Sequence, residues 1–184
     1  MKPIETVYRG CRFRSRLEAR WAVFLEALNA KWSYEKEGFD LSGTWYLPDF
    51  WVEDWNAWIE VKGKAPSPEE ARRCDLLARS SGKVVLLLAG DPWTENDVNE
   101  YDVTLFGHRD REWNGTRGWE FGEGRRCTDE IWLVSDCYGA FTLRAVPQDP
   151  DDKPPLTGSF AETISDALAR ARGARFEHGE AGGR

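Results

Sequence analysis

Two acidic residues and a lysine lie in one short stretch that otherwise has the pattern of β-structure. Asp49 precedes one run of bulky apolar residues, and Glu60 and Lys62 alternate with the apolar residues of a second run. We expect the two runs to form a hairpin with its turn at 53–56, so that Asp49 faces Glu60. Like charges directly opposed in a sheet are destabilising, because their Cβ atoms are only about 4.5–5.5 Å apart. Two carboxylates placed in this way require a cation.

A divalent metal ion is a cation that suits this set of ligands. Mg²⁺ and Mn²⁺ prefer hard oxygen ligands, bind through one or two carboxylates and keep other positions for water and substrate phosphate. Lys62 lies one pleat further along and cannot neutralise both acids by itself. The backbone carbonyl of Val61 supplies a further oxygen. The pattern therefore predicts a Mg²⁺ or Mn²⁺ site formed by Asp49, Glu60 and Val61.

A third acidic residue lies on the predicted first helix. Residues 15–29 repeat apolar side chains at helical spacing, and Ser15 is suited to the N-cap position. Since successive residues are about 100° apart, Glu18 falls about 20° beyond Leu25, at the border of the apolar stripe. This border is an unusual place for a carboxylate, which marks Glu18 as a candidate site residue.

Other patterns in the first half of the chain predict the elements that position these residues. A short strand is expected at 32–35, and a second helix follows Ser67, with a proline in its first turn. The apolar run 84–89 lies between glycines, as expected for a strand buried on both faces. The order is helix, three strands, helix and strand. This order predicts an α/β core with a central mixed sheet flanked by helices.

The second half of the chain has weaker signals. Residues 101–106 and 131–146 alternate like antiparallel strands, 148–158 is rich in proline and aspartate, and 161–172 has the pattern of a terminal helix. We therefore expect three regions along the chain. They are a core at 1–98, a β-rich extension packed on it at 99–147, and a linker, C-terminal helix and disordered tail at 148–184.

The motif PD, ten residues and then EVK, at residues 48–62, resembles the signature of the PD-(D/E)XK nuclease superfamily, which has the restriction-endonuclease-like fold. The core of that family has the same order of helices and strands. Many members carry a glutamate on the first helix, which Glu18 matches. The resemblance covers about residues 13–90. More loosely, the segments 8–28 and 171–180 resemble small proteins of tailed phages and actinobacteria.

The resemblance implies metal-assisted hydrolysis of phosphodiester bonds in DNA, which leaves 5′-phosphate and 3′-hydroxyl ends. Asp49 and Glu60 would hold the metal ion, which lowers the pKa of a bound water and neutralises charge on the phosphate. Lys62 would orient or deprotonate that water, or offset charge in the transition state. The charge-offsetting role is favoured, because two neighbouring acids raise the pKa of a lysine. Glu18 would position the water or hold a second metal ion.

Arginines at the two predicted helices are candidate contacts for the phosphates of the DNA backbone. They are Arg12, Arg14, Arg16, Arg20, Arg72 and Arg73. Those around the first helix are equally well explained as a solvated, charge-balanced helix start. Residues 107–127 interleave arginines with two tryptophans, as single-strand binders do, but also hold four acids. The acids favour a mobile surface loop.

Composition limits the classes of partner and the compartment. The net charge of −7 argues against wholesale coating of nucleic acid or membrane, so a polyanionic partner must meet local basic patches. The longest apolar run is too short to cross a bilayer, and the N-terminus lacks a signal-peptide pattern. Four dispersed cysteines predict reduced thiols. We therefore expect a cytoplasmic protein without membrane contact, located in the host cytoplasm if phage-encoded.

A Mg²⁺-dependent DNA nuclease, with endonuclease action favoured, is the function that these patterns predict. The nearest alternative is a catalytically inert nucleic-acid-binding module of the same fold, which would more often lack Asp49, Glu60 or Lys62. A structural or adaptor protein that uses a tryptophan-rich surface is the third alternative, since the chain has ten tryptophans. Assembly as a homodimer stays open for each of them.

Overall fold

A computed structural model describes residues 3–92, 100–107, 119–120, 131–135, 141–145 and 159–176. Within these ranges the chain is a mixed α/β protein with three helices, a six-stranded mixed sheet and three two-stranded sheets. The elements in chain order are β1 (Thr6–Tyr8), β2 (Cys11–Phe13), α1 (Arg16–Ala27), β3 (Trp32–Tyr34), β4 (Phe39–Asp40), β5 (Trp45–Tyr46), β6 (Phe50–Val52), β7 (Ala57–Lys62), α2 (Pro68–Ser81), β8 (Val84–Ala89), β9 (Glu100–Phe106), β10 (Trp119–Glu120), β11 (Ile131–Ser135), β12 (Phe141–Ala145) and α3 (Ser159–Gly173).

Helix α1 begins where the sequence predicts. The Ser15 side chain accepts a hydrogen bond from the backbone N–H of Glu18 and so satisfies one of the free donors of the first turn. Trp21, Phe24 and Leu25 are buried along the predicted apolar stripe. This face packs into the main core cluster, which also contains buried residues of α3 and of the sheet.

The hairpin of β6 and β7 has the predicted register, in which Val52 pairs with Ala57 and Phe50 with Ile59. The turn closes through a hydrogen bond from the N–H of Asn56 to the carbonyl of Glu53, and Asn56 has a left-handed φ of 50°. Because side chains alternate along a strand, the two faces of the hairpin enter two different core clusters, one against α1 and one against α2.

Strand β8 runs parallel to β7, with α2 as the connection between them. Helix α2 begins with a capping box between Ser67 and Glu70 and ends at Gly82, whose left-handed φ of 65° suits glycine. Strands β3, β6 and β9 pair antiparallel with their neighbours, so the sheet is mixed. The prediction of an α/β protein with a mixed sheet is confirmed.

Several elements differ from the predicted ones. The hairpins β1–β2 and β4–β5 were not expected, because strands of two or three residues are too short to establish an alternating pattern. Strand β9 pairs with β8, and β10 pairs with β9, so both belong to the central sheet. Strands β11 and β12 form an antiparallel pair within residues 131–146, which the sequence predicted to alternate like antiparallel strands.

The C-terminal helix is also present, and α3 packs against α1. The linker expected at 148–158 and the tail at 178–184 lie outside the described residues. In the described part of the chain, no helix is long and apolar enough to cross a membrane.

Candidate functional site

A cleft of about 950 Å³ opens at the end of β7. Strands β7 and β8 are parallel, so both end at this edge of the sheet, and the start of α1 lies beside it. The cleft contains all four side chains that the sequence predicts for catalysis, together with Val61. They are Glu18, Asp49, Glu60 and Lys62.

Asp49 lies just before β6 and is only 3% exposed. Its Oδ2 accepts a hydrogen bond of 2.7 Å from the backbone N–H of Val61, and its Oδ1 accepts one of 2.8 Å from Arg14 Nη2. Burial raises the pKa of Asp49, and the charges of Glu60 and Glu18 raise it further, against smaller opposing effects of the Val61 N–H and Lys62. The net pKa is raised above the ordinary value although Arg14 lies beside the carboxylate, so a further cation would favour the ionised form of Asp49.

Glu60 lies on β7 and is 4% exposed. Its Oε1 is 2.5 Å from Nζ of Lys62. The other oxygen, Oε2, is buried and has no hydrogen-bond partner among the described residues. Buried carboxylate oxygens without a partner are rare in folded proteins, because desolvation is then not compensated. Oε2 of Glu60 is therefore a hard oxygen without a well-aligned donor, and the Tyr46 hydroxyl lies close enough to this carboxylate to interact with it.

Two further groups near Glu60 are uncharged at neutral pH. The Tyr46 hydroxyl lies 3.8 Å from Cys74 Sγ. Burial raises the pKa of Tyr46, and the neighbouring Cys74 and Glu60 raise it further. Burial and the charge of Glu60 raise the pKa of Cys74 to about 12. Neither side chain supplies a negative ligand or a nucleophile at neutral pH.

Lys62 is the last residue of β7, and its side chain is 27% exposed. Burial lowers its pKa, but the charge and hydrogen bond of Glu60, with the charge of Asp49, outweigh burial and raise the net pKa. The ammonium group is therefore charged at neutral pH. It can offset negative charge at the cleft, but it is a poor general base in this state.

Arg14 completes the charge balance of the site, a role that the sequence did not predict. Besides Asp49, its guanidinium contacts Glu35, with Nε 2.8 Å from Oε1. Burial lowers the pKa of Arg14, but the hydrogen bond with Tyr34 and the charge of Asp49 outweigh it, so the net pKa is raised. Each of the two acids thus has its own cation, Arg14 for Asp49 and Lys62 for Glu60.

Glu18 is buried at the edge of the same cleft, and its carboxylate has three donors. Its Oε1 accepts from Ser15 Oγ at 2.6 Å, and its Oε2 accepts from the Arg14 N–H at 3.1 Å and from the Tyr34 hydroxyl. The same Tyr34 hydroxyl accepts from the Arg14 backbone N–H. Glu18 and Tyr34 therefore fix the backbone position of Arg14, whose side chain contacts Asp49.

Asp49 and Glu60 are the two side chains of the cleft that could hold a divalent cation. Asp49 and Glu60 face one cleft, and Oε2 of Glu60 has the hard character that Mg²⁺ and Mn²⁺ prefer. Among the described residues, no group of three or more His, Cys, Asp or Glu side chains is arranged to hold a metal ion. A metal ion here would therefore depend on two carboxylates, with other positions left to backbone oxygen, water or substrate.

Four of the six predicted DNA contacts line the cleft. These are Arg14, Arg16, Arg20 and Arg73. Several of the six are also paired with acids: Arg12 with Glu5, Arg73 with Glu69, and Arg20 Nη1 with Asp91 Oδ1 at 2.6 Å. These pairs offset part of the positive charge that DNA would meet. The segment 107–127 lies outside the described residues, apart from Gly107 and 119–120.

Trp45 is a residue of the cleft that the sequence did not single out. It is 71% exposed and lines the cleft, although tryptophan side chains are usually mostly buried. Its indole ring lies over Gly38, where an added Cβ would be 2.1 Å from the ring. Among ten tryptophans, the sequence pattern does not distinguish an exposed one from those of the core.

Comparison of the chain with protein-family models, with curated proteins and with solved structures gives no match.

Proposed function

We propose that this protein is a metal-dependent DNA nuclease that hydrolyses phosphodiester bonds, with endonuclease action favoured. Asp49 and Glu60 would hold Mg²⁺ or Mn²⁺ in the cleft. The observation that carries the proposal is the buried Oε2 of Glu60, which has no partner among the described residues and lies in the same cleft as Asp49 and Lys62. A divalent cation would satisfy this oxygen and would also stabilise the ionised form of Asp49.

The arrangement of elements around the cleft supports a restriction-endonuclease-like core as part of this proposal. Helix α1 is followed by the antiparallel strands β3, β6 and β7, then by α2 and the parallel strand β8. This order agrees with the family that the motif at 48–62 resembles. The small hairpin β4–β5 lies between β3 and β6, and it contributes Trp45 and Tyr46 to the cleft.

Different residues of the cleft would contribute to metal binding, to stabilisation of the transition state and to DNA binding. When bound, the metal ion would acidify a water molecule and neutralise charge on the phosphate. Lys62, which is charged at neutral pH, would stabilise the negative charge that develops on the phosphate oxygens. The positive side chains of Arg16 and Arg20 line the same cleft and would hold the DNA backbone near Lys62.

Arg14 would favour the ionised form of Asp49 when no metal ion is bound. Its guanidinium also pairs with Glu35, so it retains an acidic partner if a metal ion takes over Asp49. Glu18 and Tyr34 would set the position of Arg14 through the hydrogen bonds to its backbone N–H. In this proposal, Glu18 acts chiefly on Arg14.

A DNA-binding module without catalysis is the second candidate function. It is supported by the two ion pairs, Arg14 with Asp49 and Lys62 with Glu60, because they neutralise both acids without any metal ion. In that case, the arginines of the cleft would bind DNA while the buried acids would only stabilise the fold.

A cleavage assay separates the two functions. Plasmid, single-stranded and branched DNA are incubated with wild type, Asp49→Asn and Glu60→Gln, with Mg²⁺, with Mn²⁺ and without metal. We expect metal-dependent cleavage by wild type and no cleavage by Asp49→Asn or Glu60→Gln. Asp75→Asn is the matched control, because Asp75 pairs with Arg79 on α2 and does not line the cleft. DNA binding without cleavage would instead support the inert module, and absence of both would support an adaptor.

A further inference from the structure

A second, smaller pocket of about 250 Å³ lies between the start of α1 and the end of α3. Four arginines line it, two from α1 and two from the C-terminal segment, together with Phe176. We call it the arginine pocket, and its arginines are Arg16, Arg20, Arg172 and Arg175. Two of them, Arg16 and Arg20, also line the cleft, so the pocket adjoins the candidate catalytic site.

The charges in the arginine pocket are only partly balanced. Arg20 pairs with Asp91, and none of the described residues that line the pocket is acidic. The Nε atom of Arg16 is buried and has no hydrogen-bond partner among the described residues. Guanidinium groups gathered around one pocket repel each other unless an anion lies between them. The pocket therefore presents several N–H donors to an anion that the described residues do not provide.

Stabilisation of the helix ends explains only some of the arginines in the arginine pocket. Arg172 lies in the last turn of α3, where a cation stabilises the free carbonyl groups of the helix end. Arg16 is the first residue of α1, where the helix dipole disfavours a positive charge. Helix capping therefore accounts for Arg172, but it does not account for Arg16 or for its buried Nε.

We propose that the arginine pocket binds a phosphate group of the nucleic-acid strand held in the cleft. That this strand is DNA depends on the proposed function of the cleft. Guanidinium groups match phosphate oxygens through paired N–H donors, and they are less strongly hydrated than ammonium groups. Because Arg16 and Arg20 line both cavities, a strand that passes Lys62 would reach the pocket along these two arginines.

Two sources supply this phosphate chemistry. One is an internal phosphodiester of a strand that continues past the cleft. The other is a terminal phosphate, which has a charge of about −1.5 to −2 at pH 7 and three acceptor oxygens. A bound terminal phosphate would place the cleavage site at a fixed distance from the end of the strand, whereas an internal phosphodiester, which repeats at every nucleotide, would hold the strand without setting the position of the cut.

The test is oligonucleotide binding by the double variant Arg172→Gln/Arg175→Gln, measured in Ca²⁺ over a range of salt concentrations. Both side chains are exposed, so the fold should be retained. Losing one phosphate contact should lower the slope of log K against log salt by about 0.7–0.9. The control is Arg79→Gln/Arg170→Gln, which removes the same charge from exposed positions that do not line the arginine pocket.

We expect weaker binding and a smaller salt slope for the pocket variant, and wild-type behaviour for the control. A loss confined to strands with a terminal phosphate identifies that group as the ligand, whereas an equal loss with hydroxyl-ended strands identifies an internal phosphodiester. Wild-type affinity and slope in the pocket variant would overturn the proposal, as would failure of the wild type to bind any strand.

The failure of this proposal is distinguishable from that of the proposed function. If wild type cleaves DNA and the pocket variant binds normally, the pocket is not a phosphate site, but the nuclease function stands. If wild type never cleaves but binds strands through the pocket, the phosphate site stands and the nuclease function fails.

Discussion

Arg14 Nη2 lies 2.8 Å from Oδ1 of Asp49, a carboxylate that is almost completely buried. The two residues are 35 positions apart in sequence. Their ion pair gives Asp49 a cation in the place where the sequence alone predicts a metal ion. The metal ion and Arg14 are therefore expected to compete for Asp49, and this competition can be measured.

Metal binding should stabilise the folded protein through Asp49. A ligand that binds only the folded state adds about 2.7 kcal/mol to the free energy of unfolding at one hundred times its Kd. Millimolar Mn²⁺ should therefore raise the Tm of wild type and of Asp75→Asn, but not that of Asp49→Asn. Equal Tm shifts in all three proteins would show that the metal ion binds elsewhere.

The Mn²⁺ effect should depend on pH in a defined direction. Burial and neighbouring acids raise the pKa of Asp49, so a proton must leave this carboxyl before it binds a metal ion. As pH falls through the raised pKa, Asp49 becomes protonated and the Mn²⁺-induced rise in Tm should shrink. Without metal, protonation instead removes the free-energy cost of burying the charged form. Thermal melts from pH 5 to 8, with and without Mn²⁺, measure both effects; a Tm shift independent of pH would contradict this assignment.

Removing Arg14 should lower the stability of the metal-free protein but increase the rise in Tm that Mn²⁺ causes. Arg14→Met leaves Asp49 buried without its cation, which should destabilise the metal-free protein by about 1–3 kcal/mol, less than for a fully buried pair because Arg14 is half exposed. The Mn²⁺-induced rise in Tm should be larger than in wild type, because the competing cation is gone. Arg12→Met, which removes an exposed arginine paired with Glu5, is the control. A smaller Mn²⁺ effect in Arg14→Met would indicate that Arg14 assists metal binding.

Glu18→Gln should lower stability as well as activity. The Glu18 carboxylate accepts hydrogen bonds from Ser15, Tyr34 and Arg14, and an amide would direct N–H donors at some of these groups. Leaving buried polar groups unpaired costs about 1–3 kcal/mol. Chemical denaturation of Glu18→Gln beside the exposed control Glu69→Gln measures this cost. If cleavage falls with no change in stability, Glu18 acts directly on the metal ion or the water.

Lys62→Met should separate binding from chemistry. Asp49, Glu60 and the Val61 carbonyl stay in place, so the variant should still bind Mn²⁺, and DNA in Ca²⁺. Single-turnover cleavage of labelled DNA should fall by about 10²–10³-fold, because a charge that stabilises the transition state is lost. Lys64→Met is the matched control, since Lys64 is exposed and does not line the cleft. Cleavage at the wild-type rate would exclude Lys62 from the reaction.

Local patterns predicted α1, the hairpin of β6 and β7, α2 and β8, but not the short hairpin β4–β5 that also lines the candidate site. The apolar spacing of α1 with its Ser15 cap, the register of Val52 with Ala57, and the start of α2 after Ser67 all depend on residues close together in sequence. Helical periodicity, strand alternation and capping act over a few residues, and this short range makes them readable from the chain alone.

Which charged side chains pair with each other was decided only by the tertiary structure. The pairing of Arg14 with Asp49 and the unpartnered Oε2 of Glu60 result from packing, because each depends on where separate elements end relative to one another. The same holds for the arginine pocket, since α3 brings Arg172 and Arg175 beside α1 from more than a hundred residues away. The sequence by itself determined that two acids and a lysine share one hairpin, and the fold determined the cation beside each acid.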